Sequence, residues 1–187
     1  VRFDRISWSA VDGLRLGAEP LSKPIAAAGR SVLVVDAPQA LAAPGRAVRE
    51  CEVALRAPGR TPDVLPVPGP PFAGFIRGGI LFFEWLRLRT GARLADLDAV
   101  ATDDASLFEA FPGAAWTVLD PRLPAKSSLS GRRRRLELLR DLGLRFPRGL
   151  PSHDQLDAAL CAYLGWLARN APSRVALTGL PVWEDPS

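Results

Sequence analysis

Hydrophobic and polar positions along this chain fall into distinct rhythms. Two short alternating runs, Arg5-Ile6-Ser7-Trp8-Ser9-Ala10-Val11 and Leu14-Arg15-Leu16-Gly17-Ala18, flank Asp12-Gly13. Alternation on both sides of Asp-Gly predicts a β-hairpin at one side of a sheet. Residues 31–36 read Ser-Val-Leu-Val-Val-Asp, apolar and β-branched without alternation. Such a run predicts a central strand covered on both faces, and Pro38 ends it near Asp36. Residues 107–111 predict a further strand with Leu107, Glu109 and Phe111 on one face, closed by Pro112. Residues 174–178 predict a last short strand.

Helical spacing marks the other stretches. Residues 46–56 place Val48, Cys51 and Leu55 on one face, and residues 80–88 predict a helix ended by Gly91. Residues 132–142 open with four arginines, turn Leu136, Leu139 and Leu142 inward, and are capped by Gly143. The clearest helix starts at Ser152, an N-cap whose capping box Gln155 completes. Leu156, Ala159, Leu160, Tyr163, Leu164 and Leu167 then recur at helical spacing. Residues 61–74 hold Pro62, Pro66, Pro68, Pro70 and Pro71 and predict an irregular loop. That loop is either a flap facing substrate or an ordinary connection. Strands first, then helices alternating with strands, predict a mixed sheet flanked by helices in a single α/β domain over residues 1–187.

Composition narrows this picture. An apolar fraction of 48% over 187 residues suits one packed core and excludes a disordered chain. No apolar run is long enough to span a bilayer, and the first residues lack a signal-peptide layout, so no membrane is expected. Cys51 and Cys161 are far apart and match no metal spacing, so both are expected as small buried hydrophobes in a reducing cytoplasm. A net charge of +4 points only faintly to nucleic acid. The positive charge is uneven: Arg132, Arg133, Arg134 and Arg135 form one run, while Lys23 and Lys126 are the only lysines.

The acids carry the candidate chemistry. Asp36 follows a run of valine and leucine, and Glu109 sits between phenylalanines. Asp154 and Asp157 lie one turn apart at the start of the last helix, on a shared face. Buried carboxylates are costly unless paired, hydrogen-bonded or metal-bound. Acids converging from strand ends and a helix start suit Mg²⁺ or Mn²⁺, hard ions that favour carboxylate oxygen. Bland readings stand beside each: Asp36 as a turn cap, Glu109 paired with an arginine, Asp154 favoured by the helix dipole. His153, the only histidine, is a ligand, a proton carrier or a helix-start residue.

Five blocks in order resemble a known family. They are Val-Val-Asp36-Ala-Pro38; Arg49-Glu-Cys51-Glu52 with Leu55-Arg56; Glu109-Ala-Phe-Pro112-Gly-Ala-Ala; Leu-Pro-Ala-Lys126-Ser with Gly131-Arg and Leu136-Glu-Leu-Leu139; and His153-Asp154-Gln-Leu-Asp157-Ala-Ala-Leu-Cys-Ala. Together, over residues 31–184, they resemble the domain-of-unknown-function 429 family of predicted nucleases. The resemblance implies a ribonuclease-H-like fold with a five-stranded mixed sheet and a carboxylate-bound divalent metal, Mg²⁺ or Mn²⁺. It puts Asp36, Glu109, Asp154 and Asp157 at the acidic positions, and Lys126 at a basic position facing phosphate. Arg49 matches a basic residue ahead of the cysteine, without an assigned role. The family's opening strand ends in Asp; here Ser7 takes that place if residues 5–9 are the strand, and if they are instead the second strand, the first is absent from these residues.

On this reading Asp36, Glu109 and Asp157 support catalysis by two metal ions about 3.5–4 Å apart astride a phosphodiester. Lys126, Arg132 and Arg133, with the rest of the arginine run, neutralise phosphates. Aromatic residues do not interleave with the basic ones, so the sequence gives no support for base stacking. The rival class is a catalytically degenerate domain that binds nucleic acid or protein. A small-molecule phosphotransferase ranks lower, because no glycine-rich phosphate loop is present. Phe82, Phe83 and Trp85 suit either an oligomer surface or the core.

Overall fold

The computed structural model describes residues 31–94, 105–177 and 181–183. Strand β1 is Ser31–Val35, β2 is Arg93–Leu94 and β3 is Ala105–Glu109. They form a three-stranded sheet in the order β1-β3-β2, with both pairings parallel. Helix α1 (Glu50–Ala54) and helix α2 (Ala73–Thr90) lie between β1 and β2 in the chain. Helices α3 (Pro112–Leu119), α4 (Leu129–Asp141) and α5 (His153–Asn170) follow β3. A separate antiparallel pair, β4 (Val175–Leu177) and β5 (Pro181–Trp183), comes last.

Parallel pairing is a consequence of the connections. The chain between the paired strands β1 and β3 runs through α1, α2 and β2, and only such a long crossover can return a strand in the same direction. Among the described residues the main sheet is therefore wholly parallel and three-stranded. This corrects the five-stranded mixed sheet of a ribonuclease-H-like domain expected from the resemblance. The antiparallel pair β4–β5 makes its own two-stranded sheet instead of extending the first. The expected hairpin at residues 5–18 lies outside the described residues, as does Ser7.

Alternating side chains of β3 sort the core into two layers. Leu107 packs on one side with Phe83 and Leu86 of α2, joined by Leu33 and Val35. Phe108 packs on the other with Leu167 and Ala168 of α5, joined by Val32 and Val34. β3 is thus the central strand and is buried on both faces, whereas β1 borders it and is half-buried throughout. The larger core lies between α3, α4 and α5, around Trp116, Leu139, Leu156, Leu160 and Leu164. Phe83 is core, while Phe82 and Trp85 pack against it partly buried.

Local chemistry explains where the elements differ from the sequence rhythm. α1 is shorter than residues 46–56 at both ends: Arg49 is extended and forms a capping box with Glu52 at its start, and Arg56 adopts a left-handed backbone at φ 52° beyond its end. α2 starts seven positions before residue 80: Ala73 and Ile76 already belong to the buried stripe that runs on to Phe83 and Leu86, but Gly74, Gly78 and Gly79 dilute that rhythm in the sequence. α4 starts at Leu129 with Ser128 as N-cap, accepting from the Gly131 amide, so the arginines begin a turn inside it. α5 matches the expected start: Ser152 and Gln155 form the capping box.

Candidate functional site

Because β1 and β3 are parallel and register Val35 opposite Glu109, their carboxyl ends lie side by side. In open parallel sheets that is where ligands bind. Asp36 is the next residue after β1. α5 crosses behind β1 and brings Asp157 to the same place. Its approach is close: a Cβ on Gly165 would lie 2.7 Å from Val34 Cγ2, so glycine is the residue that lets helix and strand meet.

Asp157 is buried, and two donors hold its oxygens. Trp116 Nε1 donates to Oδ1 at 2.7 Å, and Lys126 Nζ approaches Oδ2 at 3.5 Å. Lys126 is placed by the turn before α4, where Gly131 abuts the Ala125 carbonyl too closely for any Cβ. Arg135 of α4 stacks over Trp116 with its guanidinium 5.4 Å from the ring centroid. Asp36, Asp157, Lys126, Arg135 and Trp116 all line one cavity of about 330 Å³. The Asp36 carboxyl is pushed up to about 6, first by burial, then by the negative charge of Asp157, with Lys126 opposing. Asp36 is nonetheless open to solvent at the cavity, so the shift reflects crowding by other carboxylates as well as lost water.

Glu109 has a different environment. Arg49 Nη1 and Nη2 donate to its two oxygens at 2.6 and 2.7 Å, and the Gln39 amide adds a third bond at 2.9 Å. The same arginine reaches Glu52 at 2.9 Å, and Glu52 also accepts from the Thr61 amide at 2.8 Å and from the Thr61 hydroxyl. Burial alone would raise the Glu52 carboxyl; the bonds from Thr61 and Arg49 outweigh it and hold the carboxyl low. Burial likewise disfavours the Arg49 charge, and the bond to Glu109 more than restores it. This network lines a second cavity of about 340 Å³.

The structure brings Asp36, Asp157 and Lys126 together at one cavity, with Glu109 and Arg49 at its neighbour. Asp154 does not join them. It is 82% exposed and lies 2.8 Å from His153 Nδ1, close enough for a charge contact but without hydrogen-bond alignment. Arg132 and Arg133 line neither cavity, and Arg133 is exposed. Arg134 pairs with Asp120 at 2.9 Å. Sequence reasoning missed Trp116, Gln39 and Thr61 as partners of the acids. It also gave Arg135 no role of its own. The period-3.6 spacing of Arg135 with Leu139, an inward position, was the available signal.

Among the described residues no group of three or more His, Cys, Asp or Glu is arranged around a metal position. None of their helices is long and apolar enough to cross a membrane. Cys51 and Cys161 are free thiols, the second buried, with its thiol pushed well up by that burial. No curated protein and no solved structure matches the chain. One family's sequence profile does, described as a protein of unknown function (DUF429), over residues 84–177. That span holds β3 and α3 to α5, and with them Glu109, Trp116, Lys126, Arg135 and Asp157. Half of the chain lies inside the match, and the chain belongs to the DUF429 family.

Proposed function

We propose that this protein is a hydrolase of phosphodiester bonds in nucleic acid that uses one Mg²⁺ or Mn²⁺ ion. The observation that carries the reading is the pair Asp36 and Asp157 on one cavity, where Lys126 lies 3.5 Å from Asp157 and Arg135 makes no ion pair with either acid among the described residues. Two carboxylates beside an open cavity suit a single hard cation that keeps several waters and takes its remaining ligands from phosphate. Glu109 does not fit as a further ligand, because Arg49 and the Gln39 amide occupy both of its oxygens. The two-ion arrangement is therefore not part of the proposal. A bound ion would supply charge neutralisation at the phosphate and a more acidic water.

The chain's own residues have defined parts in this reading. Trp116 Nε1 fixes the orientation of Asp157. Lys126, 58% exposed, can turn from Asp157 to an incoming phosphate once a cation takes its place. Asp36 holds a proton up to about pH 6, so cation binding displaces that proton and tightens as pH rises through this value. The compartment implied is the cytoplasm, supported by the two free thiols.

Calorimetry with Mn²⁺ at pH 7.5 tests the reading, on this chain and on the Asp36→Asn, Asp157→Asn double variant. Micromolar binding lost in the double variant, with cleavage of single-stranded or branched nucleic acid, is the expected result. No binding at millimolar Mn²⁺ overturns it. The saturated Glu109–Arg49 pair favours a second reading, a non-catalytic nucleic-acid-binding domain. That reading expects nucleic acid to be retained by the protein without metal and without cleavage.

A further inference from the structure

The two cavities are neighbours with shared walls: Asp36, Pro58, Phe111 and Lys126 line both. Their chemistry differs at the far ends. One end sets Lys126 and Arg135 beside the acids Asp36 and Asp157, and the other joins an apolar, aromatic wall to the saturated Arg49–Glu109 network.

The first end holds Arg135, a buried charge without a paired acid. The residue is only 8% exposed, and it makes no ion pair among the described residues. Nη1 donates to the Pro124 and Gly131 carbonyls at 2.9 and 3.2 Å, while Nε has no partner. An isolated buried charge is expensive, and a neutral carbonyl only partly compensates it. Asp157, the acid whose charge reaches it, is already held by Trp116 and Lys126. Nη2, which makes no hydrogen bond among the described residues, is the donor left for an oxyanion in the cavity.

At the apolar end Ala37, Ala57 and Ile76 form the lining with Phe72 and Phe75, two phenylalanines left 50% and 49% exposed. Phe72 sits at φ 66°, a left-handed backbone that a bulky L-residue rarely adopts, and such strain concentrates at ligand sites. Half-exposed rings beside a charged site offer their faces to another flat ring. The fold thus joins basic and aromatic residues from distant segments, which the sequence alone kept apart.

We infer that the joined cavities are a subsite for one unpaired nucleotide, its phosphate received by Arg135 and Lys126 and its base by Phe72 and Phe75. The inference rests on the phosphodiester reading for the choice of a phosphate ester, and it narrows the substrate to strand ends or extruded nucleotides. A duplex keeps its bases stacked inside and its phosphates outside. Its base could not enter the apolar end while its phosphate stayed at Arg135.

Calorimetry with adenosine 5′-monophosphate, adenosine and ribose 5-phosphate tests this, with Mn²⁺ and again with a chelator. The monophosphate should bind at least about tenfold tighter than either fragment. Lys126→Gln and Arg135→Gln should each weaken the two phosphate-bearing probes by about tenfold and leave adenosine unchanged. Phe75→Ala should weaken the monophosphate and adenosine about tenfold and spare ribose 5-phosphate. Lys126 and Phe75 are exposed, so their variants keep the test decisive if Arg135→Gln fails to fold. Equal affinity for the monophosphate and ribose 5-phosphate overturns the inference, as does a neutral Phe75→Ala. The expected binding without cleavage of any nucleic acid would remove the hydrolase reading and leave the subsite standing. Cleavage without preference for the monophosphate would do the reverse.

Discussion

Two acidic clusters stand beside each other at the carboxyl ends of β1 and β3, and they are electrostatic opposites. Around Glu109 and Glu52 every carboxylate oxygen accepts at least one hydrogen bond, from Arg49, the Gln39 amide and Thr61. Around Asp36 and Asp157 the donors run short: Asp157 has Trp116 and a distant Lys126, and Asp36 makes no hydrogen bond among the described residues. The difference shows in the protons. Glu52 is held below the usual carboxylate range, whereas Asp36 is pushed up to about 6. A carboxylate whose bonds are all made within the protein stabilises the fold. One left short of donors, facing a cavity, has binding capacity to spare for a ligand.

The sharpest way to break this comparison is to remove the cation from the saturated cluster. Arg49→Met would strand Glu109 and Glu52 as uncompensated buried charges, and truncating one side of such a pair costs about 3–5 kcal/mol. Urea unfolding should report a loss of that size, with most of it recovered when Glu109→Leu is added to Arg49→Met. A loss under about 1 kcal/mol would put the cluster on a par with a surface ion pair. It would return Glu109 to the list of free ligands.

The next effect in size acts on the other cluster through its scaffold. In Gly165→Ala the new methyl would meet Val34 Cγ2 at 2.7 Å and press α5 away from β1. Overpacking of this kind costs about 1–3 kcal/mol. Because α5 carries Asp157 and β1 leads into Asp36, the same shift should weaken Mn²⁺ binding more than it weakens the fold's cooperativity. Unchanged Mn²⁺ affinity in a variant of lowered stability would separate the site from this contact.

How much of this was legible beforehand depended on which interactions are local. The strand ending at Asp36 and the helix from Ser152 were readable, because a β-branched run and a capping box act within a few residues. Asp36 and Asp157 could be singled out as acids in apolar surroundings for the same reason. Their different environments could not. Arg49 is 60 positions from Glu109, and Trp116 is 41 from Asp157, so only the folded chain reveals which acid is saturated. Sheet order fails in the same way: the unbroken apolar run of β1 predicts the central strand and the alternation of β3 a one-faced one, yet among the described residues β3 is central and β1 borders it. Asp154 misled because spacing gives a shared helix face but not where the protein surface begins.

The smallest effect is also the most diagnostic, since its sign is opposite to that of most polar-to-polar changes. Asp36 ionises at about 6 in the folded chain and at 3.8 in a model peptide. The folded state therefore binds more protons than the unfolded state between those values, and stability falls as pH rises through the window. Above it the ionised carboxylate is a fixed cost to the fold; below it the group is neutral in both states and costs nothing. Asp36→Asn, neutral at every pH, should raise Tm at pH 8 with a chelator present and leave it unchanged at pH 3. Adding Mn²⁺ should invert the order at pH 8, because only the native residue gains a bound cation. A variant no more stable than the native chain at pH 8 without metal would mean that Asp36 is as well compensated as Glu109. The contrast between the two clusters would then disappear.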